Sequence, residues 1–257
     1  DAKDVGTIEN SGFDDETVSA RFGYNLLDGH HMSLGFQRWR GWEIGDPGPT
    51  YSPDPDNYSD IKRQGYDIGY ETETFNAKYY LIEDEDESHG GMVTGPGNSN
   101  ITVKNTDTQG ASLQKIFSIG EHRVILGGQW DRIEVESSTN TGAPYNPNSQ
   151  YDTFGAFSEG RLSLLNKKLL LSAGLRYDYF ENEILETPGI TSLTPKKETL
   201  DHVTARGGVV YNISEAFRLK GNIGTAFRAP AADELAADYT SSWGTRYLGN
   251  PELKPEK

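Results

Sequence analysis

The sequence predicts an all-β chain: part of an antiparallel, up-and-down transmembrane β-barrel, with about ten strands in five hairpins. Three observations predict it. Apolar and polar residues alternate at period two in one stretch after another. The patterned stretches run about ten residues, the length an oblique bilayer crossing needs. The connections between them alternate, short then long, as they do when tight turns lie at one membrane surface and loops at the other.

The alternation is clearest in Lys168–Phe180, where Leu169, Leu171, Ala173, Leu175, Tyr177 and Tyr179 oppose Lys168, Ser172, Gly174, Arg176 and Asp178. In order along the chain, the same pattern sets Val18, Ala20, Phe22, Tyr24 and Leu26 against Thr17, Ser19, Arg21, Gly23 and Asn25. It sets Phe75, Ala77, Tyr79 and Leu81 against Asn76, Lys78 and Tyr80. Val203, Ala205, Val209 and Tyr211 oppose Thr204, Arg206 and Gly208, and Leu219, Ile223 and Phe227 oppose Arg218, Lys220, Asn222 and Gly224. Weaker copies lie at 31–42, 64–70, 108–117, 123–135 and 151–163. Short turns are expected near 27–30, 70–73, 118–122, 165–167 and 212–216, and long polar connections at 45–61, 84–106, 137–150, 181–198 and from Arg228 onward. Tyr and Trp near strand ends fit interfacial girdles.

A soluble β-sandwich or β-propeller serving as a binding module also alternates, and hairpins recur here roughly every 45 residues, near the spacing of propeller blades. Its strands, however, usually run about 5–6 residues and bury bulky side chains on one face. The second face here holds Arg, Lys, Asn and Gly, as a wet or plugged lumen would.

Composition narrows the function. A net charge of −15 and a pI near 4.7 exclude a phosphate-binding nucleic-acid surface, which needs clustered Lys and Arg. With no cysteine, disulfides, thiolate metal sites and cysteine nucleophiles are ruled out. No nucleophile elbow, zinc-protease helix motif, phosphate-binding loop or dinucleotide turn occurs, so no enzyme is expected. No apolar run approaches the length of a membrane helix.

Three segments carry a family resemblance. Leu170-Leu171-Ser172-Ala173-Gly174-Leu175-Arg176-Tyr177-Asp178 resembles a recurrent strand of TonB-dependent receptors. Phe227-Arg228-Ala229-Pro230, followed by Glu234-Leu235, resembles their FRAP box, and Gly249-Asn250-Pro251-Glu252-Leu253-Lys254-Pro255-Glu256 their NPxLKPE box. The resemblance is sharp over 151–257 and architectural before that. The residues also have a local reading. Phe227 ends the apolar face of a strand, Pro230 stops ladder pairing, and Pro251 and Pro255 bracket Leu253 in an extended, non-helical segment. On that reading the boxes shape a loop base, with direct ligand contact by Arg228, Lys254 or Glu256 the lesser role.

The resemblance implies a barrel of 22 strands in the bacterial outer membrane, in contact with its lipid, whose loops capture a scarce ligand and whose plug is pulled by TonB. It implies that the plug, with its TonB box, and the last strands lie outside residues 1–257. The implied ligand is a ferric siderophore, with haem or cobalamin as the alternatives. Haem ranks lower because receptors for it typically carry a histidine between the two boxes, and none lies between Pro230 and Asn250. Of the five histidines, His30, His31 and His122 fall by short turns, His202 at a strand start and His89 in a long loop. Tyr239, Trp243, Arg246 and Tyr247 crowd the connection between the boxes, and Arg with flat aromatics suits an anionic, aromatic-rich iron chelate. Trp39, Trp42 and Tyr51 form a weaker cluster. The acid run Glu83–Glu87 reads as a solvated loop start, because consecutive carboxylates rarely converge on one cation. Asp46, Asp54, Asp56 and Asp60 are spaced more like a calcium loop. No resident cofactor or metal is assigned.

Overall fold

A computed structural model describes residues 9–48, 56–90, 100–190, 195–231, 234–235, 238–240, 245–250 and 252–256. Ten strands form one sheet in strictly sequential order: β1 (Asp14–Leu27), β2 (His30–Gly45), β3 (Tyr58–Thr72), β4 (Phe75–Gly90), β5 (Asn100–Ile119), β6 (His122–Thr139), β7 (Ser149–Leu164), β8 (Leu169–Ile184), β9 (Lys196–Asn212) and β10 (Arg218–Gly224). Every neighbouring pair is antiparallel. A separate hairpin, β11 (Asp238–Thr240) and β12 (Arg246–Leu248), stands apart from the sheet.

The short turns fall where the sequence places them. Gly29 and Gly120 supply the positive φ that tight hairpins need, at 74° and 60°. The turn between β7 and β8 instead runs Leu165, Asn166 and Lys167 through φ of 52°, 53° and 66°.

No two-sheet core exists among the described residues. The buried hydrophobic side chains are Ile184, Ile190 and Leu235, while Phe22, Leu34, Leu126, Leu175 and Ile223 stand exposed. The register puts these exposed residues on a single face: Phe22 opposes Leu34, Leu34 opposes Ile68, and Leu175 opposes Ala205. On β8 the apolar band runs from Leu169 to Tyr179. At ~3.3 Å per residue and the usual oblique tilt, that is about 25 Å, the height of a hydrocarbon core.

The band's upper border is oblique to the hydrogen-bonded rows. Val18 marks it on β1, Phe36 on β2, Trp130 on β6, Tyr179 on β8 and Val203 on β9, while the row through Val18 reaches β9 at Lys197. A slip of six residues across eight strand spacings corresponds to a tilt of roughly 30°, as barrel strands have. Aromatic rings line the border in contacting pairs, Phe36 with Tyr66 at 5.3 Å and Phe154 with both Trp130 and Tyr179 at 6.5 and 6.4 Å.

Four expectations are corrected. β1–β9 run 14–20 residues rather than about ten, because the ladder continues beyond the band where both faces are polar and the alternation disappears. The acid run Glu83–Glu87 lies inside β4, where Gln64, Arg63 and Lys62 of β3 meet Glu83, Asp84 and Glu85 at 2.6, 2.7 and 2.6 Å. His89 is a strand residue too, stacked on Tyr58 at 4.4 Å and paired with Glu87 at 2.9 Å. His202 lies within β9 rather than at its start.

Candidate functional site

The long-connection end of β7–β9 carries the site. Two cross-strand rows form its floor on the polar face. Tyr151 of β7 opposes Asn182 of β8, which opposes Glu198 of β9; one step closer to the band, Phe180 opposes Leu200. Tyr151 and Phe180 rings meet at 6.0 Å. The roof is made by the two boxes, with Pro230, Leu235, Leu253 and Pro255 facing the floor across a cavity of about 460 Å³.

Local bonds explain how the boxes form a roof. Arg228 grips Glu234 with both terminal guanidinium nitrogens, at 2.9 and 2.5 Å, and the same carboxylate accepts the Ala231 N–H at 2.8 Å. This carboxylate holds the chain just after Pro230, and the next residue, Leu235, is 5% exposed. The second box returns to the first: Arg228 and Glu256 form an isolated antiparallel bridge. The Asn250 N–H donates to the Glu234 carbonyl at 2.8 Å, and Asn250 Oδ1 accepts the Glu252 N–H at 3.0 Å.

Phe227 departs from the sequence expectation. It is not the last outward ring of β10, whose strand ends at Gly224. The Thr225 N–H donates to the Ala205 carbonyl and Thr225 Oγ1 accepts the Ala205 N–H. This breaks the alternation, and Phe227 stacks on the polar-face residue His202 at 4.4 Å and meets the Phe180 ring, tilted, at 5.5 Å. Its ring supports the site from below instead of meeting the apolar border.

The floor's electrostatics are uneven. Glu198 is tied to Lys196 at 2.5 Å. Tyr151 lies beyond the apolar band; burial, and behind it the Asp178 carboxylate, push its pKa up to about 12, so it stays a neutral phenol. Lys254 makes no ion pair among the described residues. Asn182 is 6% exposed, and among the described residues neither its Nδ2 nor its Oδ1 has a hydrogen-bond partner. A buried amide with both ends idle is unusual.

Of the residues the sequence proposes as ligand contacts, the backbone pairs Tyr239 with Tyr247 and Thr240 with Arg246 across β11 and β12. Tyr247 is half-exposed. Trp243 lies outside the described residues, as do Pro251, Tyr51 and Asp54. The remaining calcium-loop candidates have other roles: Asp46 Oδ1 accepts the Gly48 N–H and Asp60 Oδ1 the Glu43 N–H. Among the described residues no three His, Asp or Glu side chains gather as metal ligands. Sequence reading missed Asn182, which looks like one more polar strand residue. It also missed the full part of Glu234, although a carboxylate six residues after an arginine, across a proline, is a visible clue.

Residues 3–257 match the family model of the TonB dependent receptor-like β-barrel. "Heme/hemopexin utilization protein C" of Haemophilus influenzae is 27% identical over 166 residues, covering 58% of this chain and 21% of that protein. "Iron-regulated outer membrane virulence protein" of Vibrio cholerae serotype O1 is 27% identical over 142 residues, covering 55% of this chain and 19% of its own length. The matched region thus spans about a fifth of these relatives. Among solved structures, the Serratia marcescens hemophore receptor HasR, in complex with its hemophore HasA and heme, superposes with TM-score 0.76 at 17% identity, over 95% of this chain and 40% of that one. The copper transporter OprC gives TM-score 0.77 at 13% identity, over 96% and 41%.

Proposed function

Because the chain belongs to the TonB-dependent receptor-like β-barrel family of the Gram-negative outer membrane, we propose that it walls a receptor for energy-coupled uptake of a ferric siderophore. The long-connection end faces outward, where ligand arrives, and the polar face lines the lumen. The plug that TonB would pull belongs to the remainder of the receptor.

The observation that carries this reading is the clasped pair of boxes. Arg228, Glu234 and Glu256 anchor the base of the connection that bears Tyr239, Trp243, Arg246 and Tyr247, and the box residues Pro230, Leu235, Leu253 and Pro255 lie across the cavity from the lumenal floor. A cavity of this size whose floor mixes Phe180 and Leu200 with Tyr151, Asn182 and Glu198 suits part of a small chelate. Uptake of 55Fe-labelled siderophore by iron-starved cells tests it. Accumulation must require both the complete receptor carrying this chain and TonB; accumulation that persists without TonB would rule the reading out.

Haem is the second reading, favoured by the name of the Haemophilus influenzae relative at 27% identity. Against it stands the lack of any histidine between Pro230 and Asn250. A Soret band that shifts on mixing the receptor with haemin would choose haem, and cobalamin uptake would be read in the same assay with labelled cobalamin.

A further inference from the structure

We infer that the outward face of β2–β5 holds a site for one phosphate-bearing lipid of the outer leaflet: Arg38 and Arg40 take the phosphate above the apolar band, and a groove within the band takes an acyl chain. The inference depends on the chain's place in the outer membrane with its long connections outward, and not on which ligand is imported.

Phe36 marks the upper border of the band on β2, and Arg38 and Arg40 follow it on the same face by one and two steps of the alternation. A long cationic side chain just past the end of an apolar band places its charge among the headgroups. The chain carries 39 acids against 24 bases, yet neither arginine forms an ion pair among the described residues. Their cross-strand neighbours show why. Arg38 lies between Val18 and Gln64, and Gln64 donates to Glu83 at 2.6 Å. Arg40 lies between Glu16 and Lys62; Lys62 is held by Glu85 at 2.6 Å, and Glu16 makes no ion pair among the described residues. The Arg40 guanidinium packs over the Trp42 ring at 5.1 Å, and its Nε is buried with no hydrogen-bond partner among the described residues. Part of that cation is thus shut off from water without a counter-charge. An anion at its terminal nitrogens offsets the cost, and phosphate oxygens match the guanidinium fork.

A polar cleft of about 380 Å³ opens beside Arg38, with Lys62, Gln64, Glu83, Glu85 and Asp107 along it. Its charge runs from basic on β2 to acidic on β5. Glu83 and Glu85 are tied to Gln64 and Lys62. Asp107 lies in the row of Arg38 but three strand spacings away, about 14 Å at ~4.8 Å each. One phosphate therefore seats at the β2 end, and the acidic end repels a second.

The same strands carry a groove of about 710 Å³ within the apolar band. Ala111 stands in one cross-strand row between Tyr79 and Trp130, and the small side chain between two rings leaves the hollow. Ile68, on the groove's β3 side, is four residues below Gln64, the neighbour of Arg38. At ~3.3 Å per residue the two levels are about 13 Å apart along the strand. Free phosphate meets the arginines alone, and a neutral lipid fills the groove alone. A lipid with both a phosphate and acyl chains uses both levels at once.

Lipid binding to the complete receptor in detergent, read by native mass spectrometry, tests the site. The probes are hexa-acylated lipid A with its phosphates and the same lipid dephosphorylated. The proteins are the native receptor, Arg38→Ala with Arg40→Ala, Ala111→Phe to fill the groove, and Lys197→Ala, which removes an outward cation of β9 that is paired with Glu181. The expected result is one lipid A held per native receptor. Binding should weaken tenfold or more on removal of the phosphates, in the double arginine variant and in Ala111→Phe, and should be unchanged in Lys197→Ala. Ala111→Leu takes the place of Ala111→Phe if the bulkier variant does not fold. Equal binding of both lipid forms by the native receptor would overturn the inference, as would unchanged binding in the double arginine variant. Loss with the arginines but not on filling the groove would also overturn it, reducing the site to surface charge. So would an equal loss in Lys197→Ala, or displacement of the lipid by inorganic phosphate at matched concentration.

Discussion

Arg228 and Glu256, twenty-eight residues apart in sequence, exchange both backbone hydrogen bonds at 3.1 Å, and their side chains approach to 3.7 Å. The bridge closes the connection between the two boxes into a loop with a fixed base. Glu234, gripping the same arginine from inside that loop, sets how the chain leaves the base.

Loss of that grip should loosen the loop without unfolding the wall. Glu234→Ala removes a two-point ion pair whose partners are both partly exposed, worth about 1 kcal/mol. Trypsin cleavage at Arg246 should accelerate several-fold while the melting temperature changes little. Glu256→Ala should do less, because its main link to Arg228 is backbone. Equal cleavage rates in all three proteins would show that the clasp does not hold the loop.

The two faces of β8 should respond differently to charge. Leu175 lies on the apolar face and is 58% exposed, so Leu175→Arg should cost about 2–4 kcal/mol where it meets lipid near the bilayer midplane. Ser172→Arg, on the polar face, should cost clearly less. Reversible unfolding in lipid measures both, and equal penalties would contradict a lipid-facing band.

Gly127 illustrates a close approach on the polar face. It sits directly across from Phe157. A Cβ there would overlap the Phe157 ring and lie 2.9 Å from the Leu113 carbonyl oxygen. Gly127→Ala should therefore destabilise by about 1–3 kcal/mol, seen in the same unfolding assay. Gly128→Ala, whose nearest neighbour would be 3.6 Å away, should be mild, and a reversed order would mean that Phe157 moves aside freely.

The loop side chains should act on affinity rather than folding. Trp243→Ala with Arg246→Ala should weaken siderophore binding about tenfold, ~1.4 kcal/mol, at near-normal surface abundance. Unchanged binding across a panel of ferric siderophores would leave the loop as a lid without ligand contacts.

Strand order, the faces of the five clearly alternating stretches and the approximate sites of the short turns were legible in the sequence from 17 to 224. Period-two alternation is a local property of the backbone, and lipid on one side enforces it residue by residue. Strand ends were not legible. Beyond the aromatic border both faces are wet, so Glu83–Glu87 reads as loop although Lys62, Arg63 and Gln64 hold it in the ladder.

The sequence by itself determined a lipid-spanning antiparallel wall and a pair of proline-stiffened boxes at its end, because hydrophobic periodicity and proline act on near neighbours. Only the tertiary structure decided what the boxes do. Phe227 turns to the lumenal side to stack on His202, Arg228 meets Glu256, and Pro230 and Leu253 close over Asn182. These contacts join residues from 25 to 71 positions apart. No local pattern encodes them, since they depend on which strands the register has already brought side by side.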